Sequence, residues 1–223
     1  MVTSFNYFII DICGTLFRSN TTFDFLDFWF KKESWYRKMK RLRRYKVVGF
    51  ANSVFFRLFH VDVLRSYAIS HLKGYSKTEL QKMSNRFYED YLSTVINNDV
   101  VEIIEEKRKN GYELIAVSAT LDCIADEICQ KLNIPKKFSS TLDYDKDSIC
   151  TGRLKKDWLA CKLVNLIEEG INPPYDFVIT DNYSDVDIIK NSNFSYLIQY
   201  ANSRKKWKDV LPLHSMKYKI INK

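Results

Sequence analysis

Apolar residues follow two rhythms along this chain. Continuous runs rich in β-branched and aromatic side chains occupy 5–10, 112–118, 175–181 and 194–199, and the first three stop abruptly at small or polar residues. Runs of that length, apolar at successive rather than alternate positions, predict strands buried on both faces of a parallel sheet. The stretch from about 19 to 96 has the other rhythm. Its apolar positions are spaced for helices over about 21–30, 47–59, 61–72 and 77–95, it has no proline, and its only glycines are Gly49 and Gly74. Thr21 or Thr22 is placed to cap the first of these helices, and Ser76 or Lys77 to start the last. Further helices are predicted over 99–110, stopped by Asn110-Gly111, over 122–132, ended by Asn133-Ile134-Pro135, and up to Glu169, closed by Gly170. Residues 139–154 read as short strands about a turn.

Outside the helical block, strands and helices alternate, and right-handed crossovers lay such strands side by side in parallel. The predicted architecture is α/β, with a doubly wound parallel sheet built from 1–18 and 97–223 and an all-α insertion at 19–96. Open sheets of this kind bind ligands beyond the carboxyl ends of their strands. The polar groups gather there: Asp11-Ile12-Cys13-Gly14-Thr15, Ser118-Ala119-Thr120 and Asp181-Asn182-Tyr183-Ser184-Asp185. Gly14 allows the sharp exit that the first strand needs. If the three strands are neighbours, Asp11, Ser118 and Asp181 converge on one crevice. The Asp143, Asp145, Asp147 alternation lacks the glycine and glutamate of a calcium loop and is predicted to be a surface turn.

Composition narrows the class. With 46% hydrophobic and 28% charged residues in 223, the chain has the make-up of a soluble globular protein with a substantial core. Met1 to Ser4 carries no basic leader, and no apolar run reaches the length of a membrane span. Five scattered cysteines without metal-site pairing suit a reducing cytoplasm, with Cys123 and Cys129 on the buried side of their helix. The net charge of +8 is concentrated: nine lysines and arginines lie between Lys31 and Lys46, opposed only by Glu33. That field favours an anionic partner. Trp29, Phe30, Trp35, Tyr36, Phe50, Phe55, Phe56 and Phe59 lie beside or within this stretch, a mixture compatible with peripheral membrane contact through 31–59 and equally with the core of a helical subdomain. Nucleic acid is the less favoured polyanion.

The motifs together resemble the haloacid dehalogenase (HAD) superfamily, specifically its phosphoserine-phosphatase-like branch. Asp11 to Leu16 is similar to the family's first motif, Asp-x-Asp-Gly-Thr; Val117 to Thr120 to its second; and Thr180 to Asp185 to the Gly-Asp-Ser-x-x-Asp form of its fourth. Thr151-Gly152-Arg153-Leu154 and the region from His71 to Ser76 also read like this branch. The resemblance implies a Rossmann-like core, with 19–96 as a helical cap that closes over the site and selects the substrate. It also implies a phosphatase acting on a small phosphorylated metabolite or a lipid phosphate. Asp11 would be the nucleophile. A hard Mg²⁺ ion would be held by Asp11, Asp181 and the backbone carbonyl of Cys13, with Asp185 orienting either a lysine or a metal-bound water. Thr15, Ser118, Ala119 and Thr120 would meet the phosphate, and Lys162, or alternatively Lys156, would neutralise charge beside Asp11.

Cys13 departs from the pattern. The family places an aspartate there, which protonates the leaving oxygen and then activates water. A thiol with an ordinary pKa near 8.5 replaces it poorly in both roles, and losing such assistance costs about 10² to 10⁴ in rate. The sequence therefore predicts either an impaired or specialised phosphatase, or a phospholigand-binding protein that has kept the fold and lost turnover.

Overall fold

The computed structural model describes residues 6–59, 61–201, 203, 206–210 and 216–223. Among the described residues seven strands form one sheet in the order β4-β3-β2-β1-β5-β6-β7. They are β1 (Tyr7–Ile10), β2 (Glu113–Leu121), β3 (Lys136–Tyr144), β4 (Cys150–Lys156), β5 (Tyr175–Thr180), β6 (Ser192–Gln199) and β7 (Tyr218–Asn222). Every neighbouring pair is parallel except β3 and β4, which form an antiparallel hairpin at one edge. The central strand β1 is short and almost wholly buried, as continuous apolar runs in parallel sheets are. Phe5, expected in this strand, lies outside the described residues.

Among the described residues five α-helices separate β1 from the crossover into β2. These are α1 (Thr21–Phe30), α2 (Ser34–Leu42), α3 (Lys46–Phe59), α4 (Val63–Ser70) and α5 (Lys77–Asp90). The crossover helix α6 (Asn98–Lys109) follows, then α7 (Asp122–Lys131), α8 (Lys162–Glu168) and α9 (Val186–Lys190). Helices cover both faces of the sheet. On one face, Phe8, Ile10 and Leu114 pack with Ile104 of α6 and Ile124 and Ile128 of α7. The same apolar cluster runs on without a break into Phe25, Leu26, Ala68, Leu72, Leu80 and Phe87 of the five-helix block. On the other face, Ile9, Ile115 and Val178 pack with Leu166 of α8 and Ile188 and Ile189 of α9.

Local chemistry sets the helix ends. Asn20, rather than Thr21 or Thr22, caps α1, its side chain accepting from Phe23 N. Thr21 and Thr22 lie inside the helix and are buried. Ser76 and Glu79 form a reciprocal capping box at the start of α5. Asp62 caps α4, which starts the helix at Val63. In the β3–β4 turn, Asp145 Oδ1 accepts from the backbone of Asp147 and Ile149, as in a side-chain-stabilised surface turn. Cys123 and Cys129 are buried on α7.

Candidate active site

Sheet register brings the polar strand ends together. Ile10 is level with Ala116 of β2 and with Ile179 of β5, so Asp11, Ser118 and Asp181 emerge at the same edge. Asp11 N donates to Ile179 O at 3.0 Å, fixing the acid just past the last strand residue. Beyond it the chain turns at Gly14, whose φ is +74°. A side chain there would put its Cβ 2.2 Å from Asp181 Oδ2, so glycine is required both by the backbone and by the close approach. Tyr200 closes the turn from the far side, its hydroxyl donating to Gly14 O at 2.6 Å.

At the centre is a buried ammonium between two buried carboxylates. Lys162 Nζ lies 2.7 Å from Asp11 Oδ1 and 2.8 Å from Asp185 Oδ2. Burial works against the charge on Lys162, but the two carboxylates and their hydrogen bonds outweigh it and hold its pKa above the ordinary lysine value. Burial likewise raises the pKa of Asp11, opposed mainly by the Lys162 charge. Thr15 Oγ1 lies 3.0 Å from Asp11 Oδ2 and 3.0 Å from Asp181 Oδ1, and it accepts from Asp181 N at 2.8 Å. A hydroxyl has one proton to give, so one of these two carboxylates lacks a donor from it at any moment. Burial and the neighbouring Asp11 charge push Asp181 up to about 7.

Asp11 and Asp181 are a donor pair short of positive charge. Two hard carboxylates, with carbonyl and solvent oxygens to complete the shell, fit Mg²⁺. The lack of a side chain on Gly14 keeps Asp181 Oδ2 clear, so the residues present fit such an ion. Among the described residues no group of three His, Cys, Asp or Glu is gathered for a metal.

Asp185, expected near the metal or the lysine, is spent on the lysine. Its Oδ2 accepts from Lys162 and, at 2.8 Å, from Thr180 Oγ1. Thr180 stands where the resembled motif has glycine, and its hydroxyl also accepts from Asn182 N at 2.9 Å, so the substitution helps hold the loop. Lys156, the alternative lysine, pairs instead with Glu169 at the surface.

Cys13 joins a chain of hydroxyls. Its Sγ lies 2.8 Å from Thr21 Oγ1 and 3.2 Å from Thr120 Oγ1, these two oxygens are 2.7 Å apart, and Thr120 Oγ1 is 2.9 Å from Ser118 Oγ. Burial, reinforced by the Asp11 charge, pushes the thiol's pKa up, so Cys13 is a neutral thiol at neutral pH. Such a network could equally donate to a carboxylate at this position.

Sequence reasoning missed Arg65. This α4 residue is buried and reaches from the helical block to the sheet, donating to Ala119 O at 2.6 Å and to Asp157 Oδ2 at 2.7 Å. Its signal was present: Arg65 shares a helix face with the apolar Ala68 and Ile69, at the spacing of a buried stripe. Asn20 and Tyr200 had no such signal, since their contacts depend on loops meeting across the fold. A cavity of about 170 Å³ is lined by Asp11, Cys13, Arg65, Ser118, Ala119 and Lys162 among others. A wider one of about 590 Å³ adjoins it through Cys13, Asn20 and Asn182, and is also lined by Asp181 and Tyr200.

A mostly parallel sheet with helices on both faces, presenting a lysine-paired aspartate and a second carboxylate at its carboxyl edge, defines a Rossmann-like α/β protein with a polar site at the strand ends. The family assignment is more specific: residues 8–190 match the model described as haloacid dehalogenase-like hydrolase, and the chain belongs to that family. No curated protein matched the sequence. Among solved structures, a protein of unknown function from Bordetella pertussis Tohama I is 14% identical, with a TM-score of 0.75 over 97% of this chain and 98% of that one. Phosphoserine phosphatase in its apo form is 18% identical, with a TM-score of 0.56 over 87% and 86%. Cytosolic 5′-nucleotidase IIIB bound to cytidine is 10% identical, with a TM-score of 0.58 over 97% and 80%. At these identities the likeness is one of fold, and that fold is shared with phosphoserine phosphatase.

Proposed function

We propose that the protein is a Mg²⁺-dependent phosphomonoester hydrolase working through an aspartyl phosphate on Asp11, with α1–α5 as a cap over the site. The supporting observation is the buried Lys162, clamped between Asp11 and Asp185 with Asp181 alongside. Phosphoryl transfer needs little covalent machinery beyond an aligned nucleophile and neutralised oxygens. Asp11 would attack phosphorus as the ester P–O bond breaks, and the leaving oxygen takes up a proton. A water oxygen would then attack the same phosphorus, the bond to Asp11 would break, and phosphate would leave with the carboxylate regenerated. Lys162 neutralises the equatorial oxygens and holds Asp11 in place. Ser118, with the backbone N–H of Ala119, suits the remaining oxygens, whereas Thr120, expected to meet the phosphate, donates its N–H to Ser118 Oγ at 3.3 Å and turns its hydroxyl onto Cys13. A Mg²⁺ ion held by Asp11, Asp181 and the Cys13 carbonyl would supply further charge neutralisation. Asp185 positions the lysine. The substrate class is a phosphomonoester of a small metabolite or a lipid.

The proton steps are where this chain is weak. Cys13 is a neutral thiol turned onto Thr21 and Thr120, and both protonation of the leaving group and activation of water suffer. The same observation favours a second reading, a phospholigand-binding protein with little turnover.

Hydrolysis of an aryl phosphate tests both, because a good leaving group needs no acid. Wild type is expected to turn over with Mg²⁺, and Asp11→Asn or chelator to abolish the activity. Retained phosphate binding without turnover in wild type would move the conclusion to the binding protein. Cys13→Asp is expected to raise turnover of alkyl phosphates by about 10²-fold or more, within the range that acid–base assistance contributes. An unchanged rate would show that the missing acid is not the bottleneck.

A further inference from the structure

The charge and apolar surface concentrated in α2 and α3 have no part in the proposed chemistry. Helix α3 carries Val47, Phe50, Val54 and Leu58 at the i, i+3, i+7, i+11 spacing of one helix face, and they are 78%, 71%, 38% and 67% exposed. An amphipathic helix in a globular protein normally turns such a stripe inward. This one is fixed facing out. Asn52, off the stripe, donates to Asp62 Oδ1 at 3.1 Å and accepts from Leu64 N at 3.2 Å, so α3 is fastened to the start of α4 by another face. The side chains of Arg57 and of Phe59, an aromatic of the 31–59 stretch, lie outside the described residues.

The basic stretch runs through α2 and leads along the chain directly into α3. In and around α2, Lys40 pairs with Asp27 and Arg43 lies over the Phe23 ring, 3.5 Å from its centroid. Lys31, Lys32, Arg37, Lys38, Arg41 and Arg44 are exposed and have no carboxylate partner among the described residues. At the junction of the two helices, Leu42 and Tyr45 are exposed between these charges. An apolar helix face beside unpaired cations is complementary to a surface with negative headgroups over hydrocarbon. Among the described residues no helix is long and apolar enough to cross a membrane, so contact would be peripheral.

We propose that α2 and α3 form a docking surface for an anionic phospholipid bilayer, with the α3 stripe inserted at the headgroup–acyl boundary and the basic residues of α2 on the headgroups. Docking does not depend on turnover, so its failure and that of the hydrolase reading are separable. The test is co-sedimentation of the full chain with vesicles of phosphatidylcholine alone and of phosphatidylcholine mixed with phosphatidylglycerol. Binding is expected only to the anionic vesicles and should weaken as salt screens the headgroups. Phe50→Gln combined with Leu58→Gln removes the two large apolar anchors while keeping good helix formers. This variant is expected to partition at least about tenfold less, given the apolar area removed from the interface. Its aryl phosphate hydrolysis and circular dichroism should match wild type.

Three results would overturn the proposal. One is no sedimentation with anionic vesicles at low salt. Another is sedimentation unaffected by the glutamine pair, which would reduce the surface to a general polyanion binder, including for RNA. The third is concentration-dependent self-association that the glutamine pair abolishes, which would make a second copy of this chain the occupant.

Discussion

Lys162 has a buried carboxylate on each side, and the two sides of that arrangement are not equivalent to remove. Taking away the ammonium leaves Asp11 and Asp185 buried, close and uncompensated, a change that typically costs about 3–5 kcal/mol. Lys162→Met is therefore expected to lower the melting temperature as well as abolish phosphate binding. Asp11→Asn keeps the Lys162–Asp185 pair and should unfold near wild type. A Lys162→Met protein as stable as wild type would mean that the pair contributes nothing net. At this scale much of the site is legible in the sequence. Asp11, Ser118 and Asp181 stand at the ends of apolar runs, where strand chemistry is local and readable. The threonines around Cys13 are not readable, because Thr21 and Thr120 come to one sulfur from a helix and a strand that are 99 residues apart. Thr180 reads as a departure from the motif and acts as a partner of Asp185.

Among the elements, α5 owes its start to a few atoms. Ser76 Oγ accepts from Glu79 N at 3.2 Å, and the Glu79 carboxylate accepts from Ser76 N at 2.7 Å. Ser76→Ala is expected to cost about 1 kcal/mol, read as a drop of about 2–4 °C in melting temperature for a chain of this size. No change would mean that packing of Leu80 and Phe87 alone sets the helix. Such caps are visible in sequence because they span four residues. The outer strands are less visible. β3, with the sequence KKFSSTLDY, and β7, with YKIIN, mix lysines and polar residues with the apolar ones. They lie toward opposite edges of the sheet, where burial no longer demands an unbroken apolar run. The sequence expectation accordingly starts β3 late and leaves β7 out. The expected α1 cap is off by a residue or two because Asn20, Thr21 and Thr22 all have capping side chains, and it is Asn20 that accepts from Phe23 N.

In the molecule as a whole, one apolar cluster joins the five-helix block to the sheet, and one guanidinium joins the block to the site. Arg65 holds the carbonyl of Ala119, the residue next to Ser118 and one that the proposed mechanism sets against the phosphate. Arg65→Met is expected to leave the sheet intact, to speed amide exchange along α4, and to change the affinity for inorganic phosphate. Unaltered exchange in α4 would show that Arg65 does not set the position of that helix. The Arg65 bond has a further thermodynamic consequence. On the proposed mechanism Ala119 serves both the grip of α4 on the sheet and the binding of phosphate, so the two form a linked pair of equilibria. Reciprocity then requires that whatever factor phosphate applies to the release of Arg65, the release of Arg65 applies to phosphate. A single coupling constant, measurable from either end, would describe how binding and opening answer each other.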